Sequence, residues 1–447
     1  MPKSLPRVVI TGTGVYSPIG RSTEEFWQGC LEKRTNIGET PEFWKRYSKY
    51  NSSVISLLPD NDYGQKWISS SEARRLDRSS LLILDAVGQA FEQAGINVEL
   101  TDPRNNIYSL TNIDPDEISI NMGTGIGGIR TFADNYGYHM FSQSFRKRKE
   151  ELPEDLQGEL KEMAIPRRFN PYAVSMIMPS AVAANISVKF GVNGYSRCHP
   201  ASCASGTIAI GNAFNAIRSG ETTMAITGGV EYLNDHNGSF FKSFDTLNVV
   251  TPNKNGGFPF NESRSGFMFT EGAAAALILE TEESALTRGA TILGEIVAYS
   301  ENNDAYNIVR INPEGKKIEL MIKKLLKRGE ITPNQVDYIN AHGTGTQEND
   351  LVEEKMIATI FGKTPQVNST KGFVGHSLGA SGGLEAVAVL KSIETSKIHG
   401  NQQESDWISN KISLSADIVE KEVTYAISES FGFGGHNAAV LFKKYQK

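Results

Sequence analysis

Cys203 sits at the centre of Pro200-Ala-Ser-Cys-Ala-Ser-Gly206, a run of small residues followed by the helix-like stretch Thr207–Ile217. A thiol at a helix N-terminus faces unpaired backbone N–H groups and the positive end of the helix dipole. Both are expected to lower its pKa and favour thiolate. Small neighbours let a carbonyl carbon come close and let backbone amides point at it. Taken alone, such a cysteine reads first as a buried structural residue, so its role depends on partners elsewhere in the chain. Three histidines lie in glycine-rich or small-residue motifs near expected strand ends: Asn340-Ala-His-Gly-Thr-Gly-Thr346, Gly375-His-Ser-Leu-Gly-Ala-Ser-Gly382 and Phe433-Gly-Gly-His-Asn437. Loops at strand C-termini are where α/β folds build sites. His139, His199, His236 and His399 have no such context.

Lys371 lies just before His376, and Glu385 follows it inside the apolar helical pattern Gly-Leu-Glu-Ala-Val-Ala-Val. A carboxylate in that position needs a partner, and Lys371 is the natural one; otherwise Lys371 is a surface lysine. A hidden pair would fix a positive charge near His376 and keep that imidazole neutral. One activated thiolate, two neutral histidines and backbone N–H groups forming an oxyanion hole suit acyl transfer to a thiol, followed by formation of a carbanion or enolate. No metal, flavin or pyridoxal motif is evident, so no cofactor is expected.

The elements that would position these groups alternate. Arg7-Val-Val-Ile-Thr11 reads as a buried strand ended by Gly12-Thr-Gly14. A helix is expected over Thr23–Leu31, capped by Ser22 or Thr23, then irregular polar surface loop from 35 to 70, then a helix over Ser79–Ala94 closed by Gly95. Glu117–Met122 alternates as a strand and enters Gly123-Thr-Gly-Ile-Gly-Gly128, a glycine pattern found in dinucleotide-binding turns. The acidic residue that such a site needs further on is not evident. Residues 131–170 are polar and charged and read as a partly helical insertion. Further strands and helices alternate to the end of the chain, and the strand–glycine turn at Ile118–Gly128 rhymes with Tyr425–Gly435. Two similar α/β halves sharing one core follow, not beads on a linker.

Composition limits the function classes. With 447 residues and a net charge of −6, a broad basic face for nucleic acid is not expected. Cys30, Cys198 and Cys203 show neither metal-ligand spacing nor an even-numbered disulfide framework. No apolar run approaches the roughly 20 residues that span a bilayer, and no signal-peptide pattern opens the chain. A cytoplasmic protein of a reducing compartment is expected.

Nearly end to end, the chain resembles the elongating β-ketoacyl–acyl carrier protein synthases, the Cys-His-His condensing enzymes of the thiolase superfamily. Four separated motifs carry the resemblance: Ser202-Cys-Ala-Ser-Gly206, Asn340-Ala-His-Gly-Thr344, Ser369-Thr-Lys-Gly-Phe-Val-Gly-His-Ser-Leu-Gly379 and Phe431-Gly-Phe-Gly-Gly435. It implies a thiolase-like duplicated αβαβα layered fold, with halves at 1–271 and 272–447. Cys203 would accept an acyl chain from a carrier protein. His342 and His376 would promote decarboxylation of malonyl–carrier protein and stabilise the enolate oxygen. Backbone N–H groups of Cys203 and Phe433 would hold the oxyanion as the enolate carbon attacks. Lys371 and Glu385 match the family's supporting ion pair, and Phe433 its gate between acyl and malonyl pockets. Thr344 and Thr346 match the threonines that bind the phosphopantetheine arm, which the carrier protein supplies, and Gly434 belongs to the same pantetheine-facing turn. Ile126 matches an acyl-pocket residue near a dimer interface, which displaces the dinucleotide reading. Arg74, Arg75, Arg167 and Arg168 resemble the basic patch presented to an acidic carrier protein. A homodimer is implied, or a heterodimer with a related chain-length-factor-like subunit.

Three departures from the family pattern bear on substrate and partner choice: Asp304-Ala-Tyr-Asn-Ile-Val309 in place of Asp-Ala-Tyr-His-Met-Thr, a longer segment between Ile129 and Pro166, and His436 in place of the usual Thr. They suggest a specialised synthase, for polyenes or polyketides. Other chemistries fit less well. A thiolase would carry a second cysteine near the C-terminus, and none follows Cys203. A cysteine-dependent thioester hydrolase using Cys203, His376 and Asp350 is possible on chain order, but the nucleophile elbow's flanking glycines are replaced by Ala201 and Ser205.

Overall fold

The structure is a computed structural model that describes residues 5–45, 48–59, 66–146, 148, 151, 153–163 and 168–447. Ten strands of its main sheet fall into two runs of five. The first is β1 (Val8–Tyr16), β2 (Ile118–Gly123), β3 (Ser196–His199), β4 (Met224–Tyr232) and β5 (Gly272–Thr281). The second is β6 (Gly294–Asn303), β7 (Tyr338–Asn340), β8 (Gln366–Asn368), β9 (Tyr425–Gly432) and β10 (His436–Lys443). In space both runs read third, second, fourth, fifth, first. In both, the third, second and fourth strands are parallel, and the fifth is antiparallel to its two neighbours. Antiparallel pairing of β1 with β6, from Val8 opposite Ile296, joins the halves into one sheet, which Ser413–Leu414 extends at one edge.

Helices sort into layers by what their apolar faces touch. Seven of them are α1 (Arg78–Ala94), α2 (Ile129–Arg146), α3 (Glu154–Met163), α4 (Ser205–Ser219), α5 (Lys316–Arg328), α6 (Gln347–Ile360) and α7 (Ser381–Thr395). α1 covers the outside of the first half, with Leu82, Val87 and Phe91 against Ile120, Ile226 and Ile278. α5 buries Ile318, Met321, Ile322, Leu325 and Leu326, a stripe at helical spacing, against the outside of the second half. α4 and α7 lie between the half-sheets, where Ile210, Phe214, Val389 and Leu390 share a core with Ile10, Leu279, Ile296 and Val440. The result is the expected αβαβα layering.

Several sequence expectations are corrected. β1 does not end at Gly12 but runs through Gly14 to Tyr16, because α1 lies directly on it. A Cβ at Gly14 would stand 1.9 Å from the Ala86 carbonyl oxygen, so these glycines serve close helix–strand approach, not a turn. The supposed loop at 35–70 holds the strand pair Ile37–Glu39 and Val54–Ser56 and the buried Trp44, Val54 and Ile55; tertiary packing of these few side chains has no sequence period. The rhyme also pairs differently. By strand order, Ile118–Gly123 corresponds to Tyr338–Asn340, and Tyr425–Gly432 to Met224–Tyr232. Strand order likewise divides the halves after Thr281, since β5 completes the first repeat, and not between 271 and 272. Within the described residues, the expected insertion consists of α3 and most of α2, and α2 is rooted in the body of the first half by a 2.6 Å hydrogen bond from Thr131 Oγ1 to Asp77. Among the described residues no helix is long and apolar enough to cross a membrane.

Replacing Gly14 by Val should lower unfolding stability by at least about 3 kcal/mol, read from the denaturant midpoint, because the added side chain has only the α1 backbone to displace. An unchanged midpoint would refute the close contact.

Candidate active site

The duplicated topology builds the same feature twice. A short turn, Ser202–Ala204, leads into α4, and its counterpart Leu378–Ala380 leads into α7. Each turn opens on a non-glycine residue with positive φ, Ser202 at 54° and Leu378 at 44°. Such strain persists only where surrounding contacts over-determine the backbone. The two helix starts touch because they are lined by glycine: a Cβ at Gly206 would be 2.9 Å from the Gly379 oxygen, and one at Gly382 would be 2.2 Å from Thr207 Oγ1. This contact brings Cys203, in the first turn, to His376, just before the second.

The Cys203 sulfur lies 3.1 Å from His376 Nε2. On the far side of the ring, Nδ1 is 3.1 Å from Ser381 Oγ, a hydroxyl that can donate or accept and so serves either tautomer. His342, on the loop after β7, stands edge-on to His376 with ring centroids 5.5 Å apart. Its Nδ1 is buried and has no hydrogen-bond partner among the described residues. The ligand atoms of Cys203, His342 and His376 all lie within 4.8 Å of one another. A set this close could bind a soft divalent cation, which would block the space above the sulfur.

Charge around the trio is arranged in an outer ring. Lys371 and Glu385 form a buried ion pair, and Lys371 Nζ also donates to the His342 carbonyl at 2.7 Å. Removing either partner from such a pair would strand a buried charge at about 3–5 kcal/mol. Burial, then the nearby Lys371 charge, holds both histidines well below the usual imidazole range, so both are neutral at pH 7. Glu353 accepts from the His342 N–H at 2.6 Å and the Gly343 N–H at 2.8 Å, which fixes the histidine loop. Its neighbour Glu429 is pushed well above the usual carboxylate range, first by burial and then by the Glu353 charge.

The thiol corrects the sequence expectation. Burial pushes Cys203 up to about 11, against the Ser202 hydroxyl, the Lys371 charge and the Phe433 N–H, all of which favour thiolate. Cys203 is 3% exposed within an apolar cluster that includes Phe267, Phe269 and Leu378, and that desolvation outweighs the polar groups. The resting site is therefore a neutral thiol against a neutral imidazole.

Two cavities meet at Phe433. One, of about 730 Å³, is lined by Cys203, His342, His376, Thr344, Thr346 and Phe433. The other, of about 230 Å³ and almost wholly apolar, is lined by Ile126, Ser202, Phe240, Phe244, Leu378 and Phe433. Thr344 and Thr346 bond each other through their hydroxyls at 2.9 Å. Gly434, at φ 83°, donates to Ile308 at 2.7 Å and ties the Phe433 turn to the segment that departs from the family pattern. His436 does not join the trio; its ring stands over Gly434. Asp350 does not meet His376 but accepts the N–H groups of Phe260 and Gly345, which sets aside the hydrolase triad. Arg74 and Arg168 are exposed and Arg75 half-buried, and Asn170 reaches the Arg74 carbonyl at 3.4 Å, bringing the segment after α3 beside them. Arg167 lies outside the described residues. Sequence reasoning missed Ser381, Glu353, Glu429 and Glu231. Only their place in apolar patterns could have flagged the buried acids.

A thiol held near 11 has a clear signature: iodoacetamide should alkylate Cys203 at a rate rising about ten-fold per pH unit from pH 7 to 10. Intact-protein mass spectrometry checks this, and a plateau below pH 8 would reveal a preformed thiolate instead.

Comparisons with known proteins agree with this geometry. Residues 6–284 match the family described as Beta-ketoacyl synthase, N-terminal domain, and residues 293–403 match Beta-ketoacyl synthase, C-terminal domain. The chain is 33% identical over 455 residues to the 3-oxoacyl-[acyl-carrier-protein] synthase 2 of Staphylococcus aureus, covering 98% of this chain and 99% of that one. A crystal structure of a beta-ketoacyl synthase from Burkholderia phymatum aligns with TM-score 0.81 and 26% identity, over 99% of this chain and all of the other. The ishigamide ketosynthase/chain length factor shares the fold at TM-score 0.82 and 24% identity, over 99% of this chain and all of that one. A duplicated layered sheet, a cysteine and two neutral histidines at its centre, and full-length sequence similarity all place this chain in the β-ketoacyl synthase family.

Proposed function

We propose that the protein joins an acyl group held on Cys203 to a two-carbon unit from malonyl–acyl carrier protein, releasing CO2 and giving a β-ketoacyl–carrier protein. The observation that carries this reading is the placement of the Cys203 sulfur 3.1 Å from His376 Nε2, with the His342 ring, whose Nδ1 has no partner among the described residues, beside it. In the first stage the sulfur attacks the incoming thioester carbon. The S–H proton passes through His376 to the departing carrier-arm thiolate, and the Ser381 hydroxyl accommodates the tautomer change. In the second stage the malonyl C–C bond breaks, CO2 leaves, and the electron pair moves onto the thioester oxygen. Two neutral imidazoles that can donate N–H suit that oxygen, whereas imidazoliums would risk proton transfer to the carbanion. The enolate carbon then attacks the acyl-Cys203 carbonyl, whose oxyanion faces the Cys203 and Phe433 N–H groups. Collapse expels the Cys203 thiolate, which regains a proton from solvent, so each cycle consumes one proton.

The two cavities divide this work. The acyl chain fits the apolar space behind Phe433, and the carrier arm enters past Thr344, Thr346 and Gly434. Arg74, Arg75 and Arg168 form the docking patch for an acidic carrier protein, and the name of the Staphylococcus aureus relative supports a carrier-protein substrate. A second subunit, identical or related, covers the edge strand β3 and the exposed Phe132, Tyr136 and Met140 of α2, which recur every fourth residue on one helix face. The ketosynthase/chain length factor pairing named for the ishigamide protein supports a related partner.

Cys203→Ala should abolish condensation while carrier-protein binding survives; full activity would overturn the mechanism. His342→Ala should leave Cys203 open to acylation yet slow decarboxylation of malonyl–carrier protein by at least about 100-fold, measured as CO2 release, whereas His376→Ala should slow both acylation and decarboxylation. Reversing the patch with Arg74→Glu and Arg75→Glu should raise KM for carrier-protein substrates about ten-fold or more at low salt, and less so at high salt. A salt-independent KM would place docking elsewhere.

A further inference from the structure

Glu231, at the end of β4, is a buried acid that the reaction scheme does not use. It is fully buried, no basic side chain pairs with it among the described residues, and burial raises its carboxyl to about 7. Four donors converge on it instead: Gly125 N at 2.5 Å, Thr124 Oγ1 at 2.9 Å, Gly379 N at 3.1 Å and Ile126 N at 3.2 Å. Three come from the glycine turn after β2, in the first half of the chain. The fourth comes from the strained turn before α7, in the second half. Both turns line the apolar cavity behind Phe433, one through Gly125 and Ile126 and the other through Leu378.

The fit leaves no slack. A Cβ at Gly379 would lie 2.4 Å from Gly125 N and 2.7 Å from Glu231 Oε2, and a Cβ at Gly125 would lie 2.8 Å from the same oxygen. One carboxylate therefore sets the distance between two loops that no strand pairing joins directly. Backbone N–H groups recruited by a side chain in this way lose a buried acceptor when the side chain changes. The cavity wall moves with them, while the sulfur and the two imidazoles are held by other contacts.

We propose that Glu231 is a specificity-determining positioning residue, whose carboxylate clamps the Ile126 turn to the Leu378 turn and thereby sets the width of the acyl cavity. This rests on the reading that the acyl chain on Cys203 occupies that cavity. The clamp also accounts for the glycine turn at 123–128, whose N–H groups meet a protein carboxylate and not a phosphate.

The test measures acylation of Cys203 by carrier-protein thioesters of two to twelve carbons, using intact-protein mass spectrometry, in the wild type, Glu231→Gln, Glu231→Asp and Thr124→Val. Gln keeps the volume but turns an amide N–H toward a backbone N–H. Its kcat/KM ratio between long and short chains should change by about ten-fold or more, the size expected when a pocket is altered by a methylene or so. Asp retains the charge and should shift the ratio less. Thr124→Val removes one of the four donors and should move the ratio in the same direction by a smaller factor, which keeps the test open where Glu231→Gln fails to fold. A parallel fall at every chain length, or an unchanged profile in the soluble variants, would overturn the clamp. Failure of the wild type to acylate Cys203 with any chain would overturn the ketosynthase reading itself.

Discussion

Everything in this site depends on the contact between the starts of α4 and α7. Each helix belongs to one half of a duplicated chain, and each carries only part of the chemistry. Gly206, Gly379 and Gly382 let the two helix starts approach closely. The cost is entropic, since glycine is a poor choice at a helix start unless close approach requires it. The return is geometric: sulfur and imidazole come within 3.1 Å from residues far apart in sequence. Because the two halves share strand order, their middle helices are equivalent, and the site lies where the equivalent ends converge.

Electrostatics at that meeting point follow from dryness. The trio is nearly inaccessible to solvent, so every group tends to its neutral form. Charges are moved outward to Lys371 and Glu385, where they compensate each other, while burial and the Glu353 charge push Glu429 toward its neutral form. Lys371 is near enough to discourage imidazolium at either histidine but is committed to Glu385 and to the His342 carbonyl. Neutral imidazoles are weak acids, which suits groups that must stabilise an enolate oxygen without protonating its carbon. The thiol is left neutral as well, so nucleophilicity arises when substrate arrives and not at rest.

Phe433 joins the chemistry to substrate choice. Its backbone N–H faces the sulfur, the residue lines both cavities, and its turn is tied through Gly434 to the 303–308 segment. A shift of that turn would change oxyanion binding and cavity connection together. The Asn307 and Val309 departures from the family pattern line the larger cavity near this hinge, along with the exposed Arg310–Glu348 pair. They line the larger cavity and not the apolar one walled by Ile126 and Leu378.

Much of this was legible in the sequence. Small residues around Cys203 and glycines around His342 and His376 mark places where backbone must come close, and that signal is local. The Lys371–Glu385 pair was legible because a carboxylate inside an apolar helical pattern requires a counter-charge. Helices such as α1 and α5 announced themselves by the period of their buried faces. Other features had no local signature. β1 continues through Gly14 because α1 lies on it, and the equivalence of β2 with β7 appears only in spatial strand order. The raised thiol pKa reverses a sound local argument, since a helix N-terminus does favour thiolate, but desolvation by aromatic residues from distant segments is larger. Glu231 is silent for the same reason: its four donors come from two turns that only folding brings together. Sequence by itself determined which groups could react, because chemistry resides in residue types and short spacings. Tertiary structure alone decided their charge states and the walls around them, because solvent exclusion and long-range contacts are properties of the packed chain.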